Sequence, residues 1–107
     1  MLKRGQVRWC NFPTPDRRRP VLLVARDLII NRLGEVTVVQ ITSTIRDISS
    51  EVFLNERDGM PKACVVNCDH LHCVSCGKIG GLVTSLSRIL MRAVSAAIDF
   101  ALDLSVD

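Results

Sequence analysis

Apolar and polar positions alternate in short runs over the first part of the chain. Residues 7–12 (VRWCNF) have a two-residue period, which predicts a strand with two different faces. The segment 13–20 (PTPDRRRP) contains three prolines and an aspartate, so it predicts a loop that carries arginines 17–19 at its tip and ends at Pro20. Residues 21–27 (VLLVARD) then form a short apolar run that stops at charge, which predicts a buried strand.

The middle of the chain predicts further short strands. Residues 28–35 (LIINRLGE) predict a helical turn or loop that closes at Gly34, and residues 36–42 (VTVVQIT) and 51–54 (EVFL) are typical of strands. Gly59 and Pro61 mark a turn, after which residues 63–71 (ACVVNCDHL) predict another strand. The glycine-rich residues 76–82 (CGKIGGL) predict a kinked final strand or a bulge.

From about residue 87 the period changes to three and four residues. The apolar positions of this stripe are Met91, Val94, Ile98, Ala101 and Leu102. This pattern predicts an amphipathic C-terminal helix, capped by Ser85 or Ser87, whose stripe packs on its own domain. Five or six short strands followed by one helix predict a single mainly β domain over residues 1–107, folded as a small, strongly curved barrel.

The composition indicates a soluble globular protein. Of 107 residues, 48% are hydrophobic and 23% are charged. No uncharged apolar run approaches the roughly 18 residues that cross a bilayer, and the N-terminus has no signal-peptide stretch, so we predict a cytoplasmic protein without a membrane partner. The five cysteines are expected to remain free thiols in that reducing compartment.

Positive charge is concentrated at the N-terminal end. Residues 1–26 hold seven basic side chains against the single acid Asp16, whereas the rest of the chain has more acidic than basic residues. A basic end of this kind suits a polyphosphate partner such as RNA. A solvated charged terminus is the alternative interpretation.

Residues 67–76 (NCDHLHCVSC) contain three cysteines, two histidines and an aspartate, and Cys64 lies just upstream. Such a cluster is typical of a tetrahedral zinc site. On a strand, however, Cys64, Val66 and Cys68 share one face while Asn67, Asp69 and Leu71 share the other, so the ligands would not converge. We therefore predict packed thiols and neither a metal nor another cofactor. A small zinc-bearing nucleic-acid module remains the competing hypothesis.

The order of several segments resembles the MazF/PemK family of toxin endoribonucleases. The segments are RGQVRWCNF, RRPVLLVARD, VTVVQITST, GMPKACVVNCDHL and LSRILMRAV, which together extend from residue 4 to the C-terminal helix. The resemblance implies an SH3-like, CcdB/MazF-like β-barrel with a C-terminal helix that assembles as a homodimer. It also implies sequence-specific, metal-independent cleavage of single-stranded mRNA, and a cognate MazE-like antitoxin that holds the toxin inactive. We expect that antitoxin to present an acidic segment, because it must replace RNA phosphates against arginines 17–19.

Three residues match catalytic positions of that family. Metal-free cleavage requires the ribose 2′-hydroxyl to attack the adjacent phosphate, so the enzyme must move protons and stabilise a crowded phosphorane. Arg19 matches the family's loop arginine, whose forked charge can hold two phosphate oxygens. Thr42 matches the active-site hydroxyl that binds the scissile phosphate, and Asp69 matches an acid credited with proton transfer. The alternative interpretations are that Thr42 is present for its strand propensity and that Asp69 is a structural hydrogen-bond acceptor.

Further residues are predicted to bind RNA. Aromatic faces beside arginines stack unpaired bases, and histidines that replace other residues of the family's strand can contact bases or exchange protons. The predicted RNA-binding set is Trp9, Asn11, Phe12, Thr14, Arg17, Arg18, Ser43, His70 and His72. Core packing of the two aromatics and simple solvation of Arg17 and Arg18 are the alternatives.

The sequence also departs from the family pattern. The loop before Arg19 is shorter and richer in proline than is usual, and two arginines of the family's strand are replaced by Asn67 and His72. These differences leave the cleavage sequence and rate open. The competing functions are a protein-binding toxin of the same fold, CcdB-like with a gyrase-type target, and a catalytically inactive relative.

Overall fold

The computed structural model describes residues 2–12, 17–26 and 34–104. These residues form six β-strands and one long α-helix. The elements are β1 (Gln6–Asn11), β2 (Arg18–Leu23), β3 (Glu35–Thr42), β4 (Glu51–Leu54), β5 (Cys64–Ser75), β6 (Ile79–Ser85) and α1 (Arg88–Leu102), with short 3-10 turns at Glu56–Asp58 and Cys76–Lys78. The predicted mainly β fold with a C-terminal helix is confirmed.

The six strands form one sheet in the order β4-β5-β3-β2-β1-β6. Every strand pair is antiparallel, and the edge strands β4 and β6 do not form a ladder with each other. The two edges nevertheless approach one another, because Thr84 on β6 donates from Oγ1 to the carbonyl of Asp58, just after β4, at 2.9 Å. A side-chain contact therefore joins the edges of this barrel-like sheet.

Both faces of the sheet carry a hydrophobic core. Leu22, Val39 and Val66 belong to the core on the side of α1, whereas Val21 and Val38 belong to a second core on the opposite side. Because neighbouring residues of β2 and β3 point to opposite faces, both faces of these central strands are buried. This explains the continuous apolar runs in the sequence.

Helix α1 covers the first core. The Ser87 side chain accepts a hydrogen bond from the backbone of Leu90 at 3.2 Å and so caps the helix, and Val94 and Ala97 are buried. Leu102 is 53% exposed, so its predicted place in the packed stripe is wrong. It is the last helical residue, and the left-handed Asp103 ends the helix there. None of the described helices is long and apolar enough to cross a membrane.

The β1–β2 connection differs from the prediction. Arg18, Arg19 and Pro20 lie on β2, opposite Asn11, Cys10 and Trp9 of β1, rather than in the loop. Pro20 is tolerated because pairing with β3 begins only at Val21, so its missing N–H is not needed there. Residues 13–16 and 27–33 lie outside the described residues, as does the predicted turn before Gly34.

Strand β5 is interrupted by a bulge. Asn67 is opposite Gln40 and Leu71 is opposite Val39, so residues 68–70 have no partner on β3. As predicted, Cys64, Val66 and Cys68 share one core. Leu71 packs against that same core, contrary to the prediction. The extra residues shift the alternation of side chains by one position.

Candidate active site

A cavity of about 410 Å³ opens where β2 begins and β3 ends. Strand β1 contributes one wall, and the turn between β4 and β5 contributes another. The lining residues are Trp9, Arg17, Arg18, Arg19, Pro20, Ile41, Thr42, Ser43, Met60, Pro61, Lys62 and Cys64. We call this the basic cavity. It brings together six of the predicted site residues: Trp9, Arg17, Arg18, Arg19, Thr42 and Ser43.

The charge of the basic cavity has one sign. Its described lining includes three arginines and Lys62 but neither aspartate nor glutamate, whereas Trp9, Pro20 and Met60 supply apolar surface. Cations around an apolar wall attract an anion that carries a flat or apolar body. A nucleotide has this combination, with its phosphate and its base.

Arg18 and Trp9 fix one another inside the cavity. The guanidinium carbon of Arg18 lies 4.7 Å from the centre of the Trp9 ring, within the range of a cation–π contact. Trp9 is half-buried, and it lies on β1 directly opposite Pro20. The indole is therefore held at the cavity wall by a strand neighbour and a cation, an arrangement that leaves less freedom to lose when a base stacks on it.

Thr42 lies at the junction of the basic cavity and a second, smaller hollow. This hollow has a volume of about 130 Å³ and is lined by Gln40, Thr42, Thr44, Arg46, Asn67 and His70. We call it the polar recess. Thr42 Oγ1 accepts a hydrogen bond from the backbone of Thr44 at 3.2 Å, so its hydroxyl hydrogen remains for a phosphate oxygen.

The two histidines occupy different places. His70 lines the polar recess, where its Nδ1 lies 3.3 Å from Gln40 Oε1. His72 contacts Phe12 edge to face, with ring centroids 5.8 Å apart. Neither Phe12 nor His72 lines the basic cavity or the polar recess. Phe12 instead packs against the second core, as the alternative interpretation of that residue had it.

Asp69, Asn11 and Thr14 complete the predicted set. Asp69 is exposed within the β5 bulge, next to His70, and accepts a hydrogen bond from Ser50 Oγ at 2.5 Å. Asn11 is exposed and lies opposite Arg18. Neither Asp69 nor Asn11 lines the basic cavity or the polar recess. Thr14 falls outside the described residues.

Three of the five cysteines, Cys10, Cys64 and Cys68, are buried. Burial raises the pKa of the Cys68 thiol to about 11, with a smaller contribution from nearby Asp69. The pKa of Cys64 is also raised, first by burial and then by Asp58, against the opposing charge of Lys62. Burial likewise raises the pKa of Cys10. These thiols remain protonated near neutral pH, a form that neither attacks nor binds metals well.

No cluster in the described part of the chain is arranged to hold a metal. Groups of three or more His, Cys, Asp or Glu side chains suited to a metal ion are absent from residues 2–12, 17–26 and 34–104. The NCDHLHCVSC segment spreads its candidate ligands instead, because Cys68 is buried in the first core whereas Asp69 and Cys73 are exposed.

Sequence reasoning missed two basic residues. Lys62 lies in the turn before β5 and lines the basic cavity, and Arg46 lies in the loop before β4 and lines the polar recess. The Gly-x-Pro-Lys turn at residues 59–62 contained a signal for Lys62, because that motif was already part of the family resemblance. Arg46 belongs to a polar stretch without periodicity, so the sequence contained no comparable signal.

Comparison with known proteins identifies the family. A family model described as PemK-like, MazF-like toxin of type II toxin-antitoxin system matches residues 3–102. The chain belongs to this family. The probable endoribonuclease MazF5 of Mycobacterium tuberculosis is 38% identical over 103 residues, which cover 95% of this chain and 94% of that protein. The endoribonuclease MazF3 of the same species is 34% identical over 78% of this chain and 85% of its own length.

Solved structures of MazF proteins share the fold. The Mycobacterium tuberculosis toxin MazF-mt6 superposes with a TM-score of 0.86 at 29% identity, covering 94% of this chain and 99% of that one. An endoribonuclease from mycobacterial species, solved in complex with its cognate antitoxin, has a TM-score of 0.86 at 22% identity and covers 100% of both chains. The family and barrel-like fold predicted from sequence are thereby confirmed.

Proposed function

We propose that this protein is a metal-independent endoribonuclease toxin that cleaves single-stranded mRNA and is neutralised by a cognate antitoxin. One observation carries the proposal: Arg19 and Thr42, from different strands, line the same basic cavity. A fixed guanidinium and a hydroxyl donor directed at one space are what a phosphate undergoing substitution requires. The endoribonuclease names of the relatives support the same activity.

The phosphate is proposed to sit near Thr42, with Arg19 on the basic-cavity side. The ribose 2′-hydroxyl attacks the adjacent phosphorus, and the 5′ oxygen of the next nucleotide leaves. Arg19 stabilises the additional negative charge of the phosphorane with two parallel N–H donors. Thr42 donates its hydroxyl hydrogen to a phosphate oxygen, so both residues bind the transition state more strongly than the ground state.

Proton transfer is assigned to residues beside the polar recess. Asp69 is proposed as a general acid or base, a role implied by the family resemblance. His70, which follows it in the bulge and lines the recess, supplies an imidazole capable of the same work. Because Thr42 lines both hollows, a phosphate bound there would have Arg19 on one side and His70 on the other, with Asp69 next to His70 in the bulge.

The flanking residues are proposed to bind the rest of the strand. Arg17, Arg18 and Lys62 surround the cavity and suit neighbouring phosphates, while Trp9 offers a surface for stacking a base. A base can reach a stacking surface inside a cavity only when it is not paired with another base. The in-line geometry also needs a flexible backbone, which a duplex restricts.

Single-stranded RNA should therefore be cleaved and the same sequence in a duplex should resist. We expect the initial rates to differ by on the order of 10² or more, because the duplex must first open and unstack at the cleavage position. The measurement compares one end-labelled RNA, alone and annealed to its complement, in the presence of EDTA. Equal cleavage of both forms would contradict the proposed binding mode, and intact RNA in both would favour an inactive relative.

A homodimer is proposed as the functional assembly. The apolar strand β3 cannot form the interface, because Val36, Val38, Val39 and Ile41 are buried in the chain's own cores. Support comes instead from α1, whose outer surface exposes Ile89 at 78% and Phe100 at 64%. These residues are eleven positions apart and so share a helix face. A two-fold contact there would cover both.

Light scattering should give about 24 kDa, twice the 11.9 kDa chain mass. Ile89→Asp combined with Phe100→Asp should shift the particle toward the mass of one chain, since burying a carboxylate in an apolar contact is costly. Arg88→Ala, at an exposed position of the same helix about 100° around the axis from Ile89, is the matched control. A wild-type monomer with full activity would refute the dimer.

The antitoxin is proposed to block the basic cavity with an acidic, partly disordered segment. Such a segment can place carboxylates where RNA phosphates would lie, against Arg17, Arg18, Arg19 and Lys62. An antitoxin partner is supported by the similar endoribonuclease from mycobacterial species that was solved in complex with its cognate antitoxin. A competition titration, in which antitoxin displaces bound RNA, would test the overlap.

A further inference from the structure

Two polar side chains are buried in the described part of the chain, and both form hydrogen bonds with Asp69. Ser50 is 2% exposed and Asn67 is 4% exposed. Ser50 donates its hydroxyl hydrogen to Asp69 Oδ2 at 2.5 Å, and Asn67 Oδ1 accepts the backbone N–H of Asp69 at 3.2 Å. One exposed acid is thus fixed at its carboxylate and at its backbone by two buried residues.

The bulge in β5 removes residues 68–70 from the ladder with β3, and Ser50 supplies contacts to it. Residues 68–70 have no partner on β3, because Asn67 pairs with Gln40 and Leu71 with Val39. The backbone N–H of Cys68 instead donates to the carbonyl of Ser50 at 2.9 Å. Ser50 therefore contacts the bulge twice, through its backbone and through its side chain. Bulges commonly redirect a side chain next to a functional site.

Packing alone does not explain why these two buried residues are polar. A buried hydroxyl or amide is destabilising unless it is hydrogen-bonded, and an apolar side chain of similar size would avoid that cost. Here Ser50 and Asn67 form their hydrogen bonds with Asp69, an exposed residue whose polar groups water could also solvate. A short hydroxyl-to-carboxylate bond is charge-assisted and directional, so its main effect is to restrict where the carboxylate points.

We propose that Ser50 and Asn67 are positioning residues that hold the Asp69 carboxylate in the orientation required for proton transfer beside the polar recess. This inference rests on the proposed function, in which Asp69 acts as an acid or base. Ser50 does not touch RNA in this scheme, because its side chain is enclosed in the protein. It acts only through the carboxylate.

The test is a double-mutant cycle on RNA cleavage with kcat and KM measured separately. Asp69→Asn should lower kcat by on the order of 10² or more, the usual contribution of a general acid or base. Ser50→Ala should lower kcat about tenfold with KM nearly unchanged, because a misdirected group slows reaction more than it weakens binding. In the Asp69→Asn background, Ser50→Ala should cause almost no further loss.

Matched variants separate positioning from folding. Ser50→Cys fills the same space with a slightly larger thiol, which is a weak donor, so it should lose activity like Ser50→Ala even if the alanine variant is less stable. Ser49→Ala removes the neighbouring exposed hydroxyl and should leave kcat unchanged. Thermal unfolding of each variant confirms that the rates are compared between folded proteins.

The possible outcomes distinguish this inference from the proposed function. If Ser50→Ala and Ser50→Cys keep the wild-type kcat while Asp69→Asn loses activity, the positioning role is overturned and the ribonuclease mechanism stands. An equal Ser50→Ala loss with and without the Asp69 carboxylate would also overturn it, since the effect would then be structural. A fully active Asp69→Asn protein would remove Asp69 from the mechanism and the positioning role with it.

Discussion

Arg19→Ala is expected to lower the rate of RNA cleavage by on the order of 10²–10³, the scale of losing one preorganised donor to a developing oxyanion. Arg19 is partly buried on β2 and lines the basic cavity together with Thr42. Its guanidinium carries a positive charge and presents two N–H groups in one plane. Alanine removes the charge and both donors. The measurement is kcat on a short RNA that contains one cleavage site.

Two further variants define the role of Arg19. Arg19→Lys keeps the charge but not the fork, so its rate should fall between those of the wild type and Arg19→Ala. Arg57→Ala removes an exposed arginine outside the basic cavity and the polar recess and should be as active as the wild type. A folded Arg19→Ala protein with the wild-type rate would place the active site elsewhere.

Gly59→Ala is expected to reduce the free energy of unfolding by about 2–4 kcal/mol, from left-handed strain together with a lost hydrogen bond. Gly59 has a φ of 91°, and a Cβ there would lie 2.3 Å from Thr84 Oγ1. That oxygen is the donor to Asp58 that joins the two edges of the sheet. The substitution therefore strains the turn and separates the edges. Urea unfolding followed by circular dichroism measures the change.

Two other glycines provide graded controls. Gly34 has a φ of 72° but nothing within 4 Å of an added Cβ, so Gly34→Ala should show the backbone cost alone, about 1–2 kcal/mol. Gly81 has neither a positive φ nor a neighbour within 4 Å, so Gly81→Ala should be nearly neutral. Equal stability of the Gly59→Ala and Gly81→Ala proteins would show that the edges do not depend on this contact.

The parts of the fold that follow from local pattern were predictable. Helix α1 begins just after Ser87 because a three- and four-residue apolar period follows a capping serine, and both signals lie within a few residues. Strand β3 follows from its run of β-branched residues. In each case the residues that define the element are neighbours in sequence, so no knowledge of the tertiary structure is needed.

The features that the sequence did not reveal depend on distant partners. Asn67 pairs with Gln40 of β3 and also with Glu51 of β4, and the bulge arises where β5 satisfies both neighbours. Nothing near Leu71 in the sequence indicates that three residues leave the ladder. Arg18 and Arg19 likewise belong to β2 because β1 pairs with them, although the prolines around them favour a loop.

The residues of the candidate site also fall into those that local sequence indicates and those that depend on distant partners. Arg19 and Thr42 were found through segments that resemble the family, and the structure places both in the basic cavity. Lys62 and Arg46 come from turns whose position depends on how β4 and β5 pack. The contact between Ser50 and Asp69 joins residues 19 positions apart, which no local period can encode.

The chemistry of the product ends tests metal-independent cleavage most directly. The purified protein is incubated with a long single-stranded RNA in EDTA, and the fragments are analysed by mass spectrometry. Attack by the 2′-hydroxyl breaks the bond to the 5′ oxygen, so we expect cleavage to proceed and to leave 2′,3′-cyclic phosphate and 5′-hydroxyl ends. A strict requirement for Zn²⁺ or Mg²⁺, or fragments with 5′-phosphate ends, would contradict the mechanism.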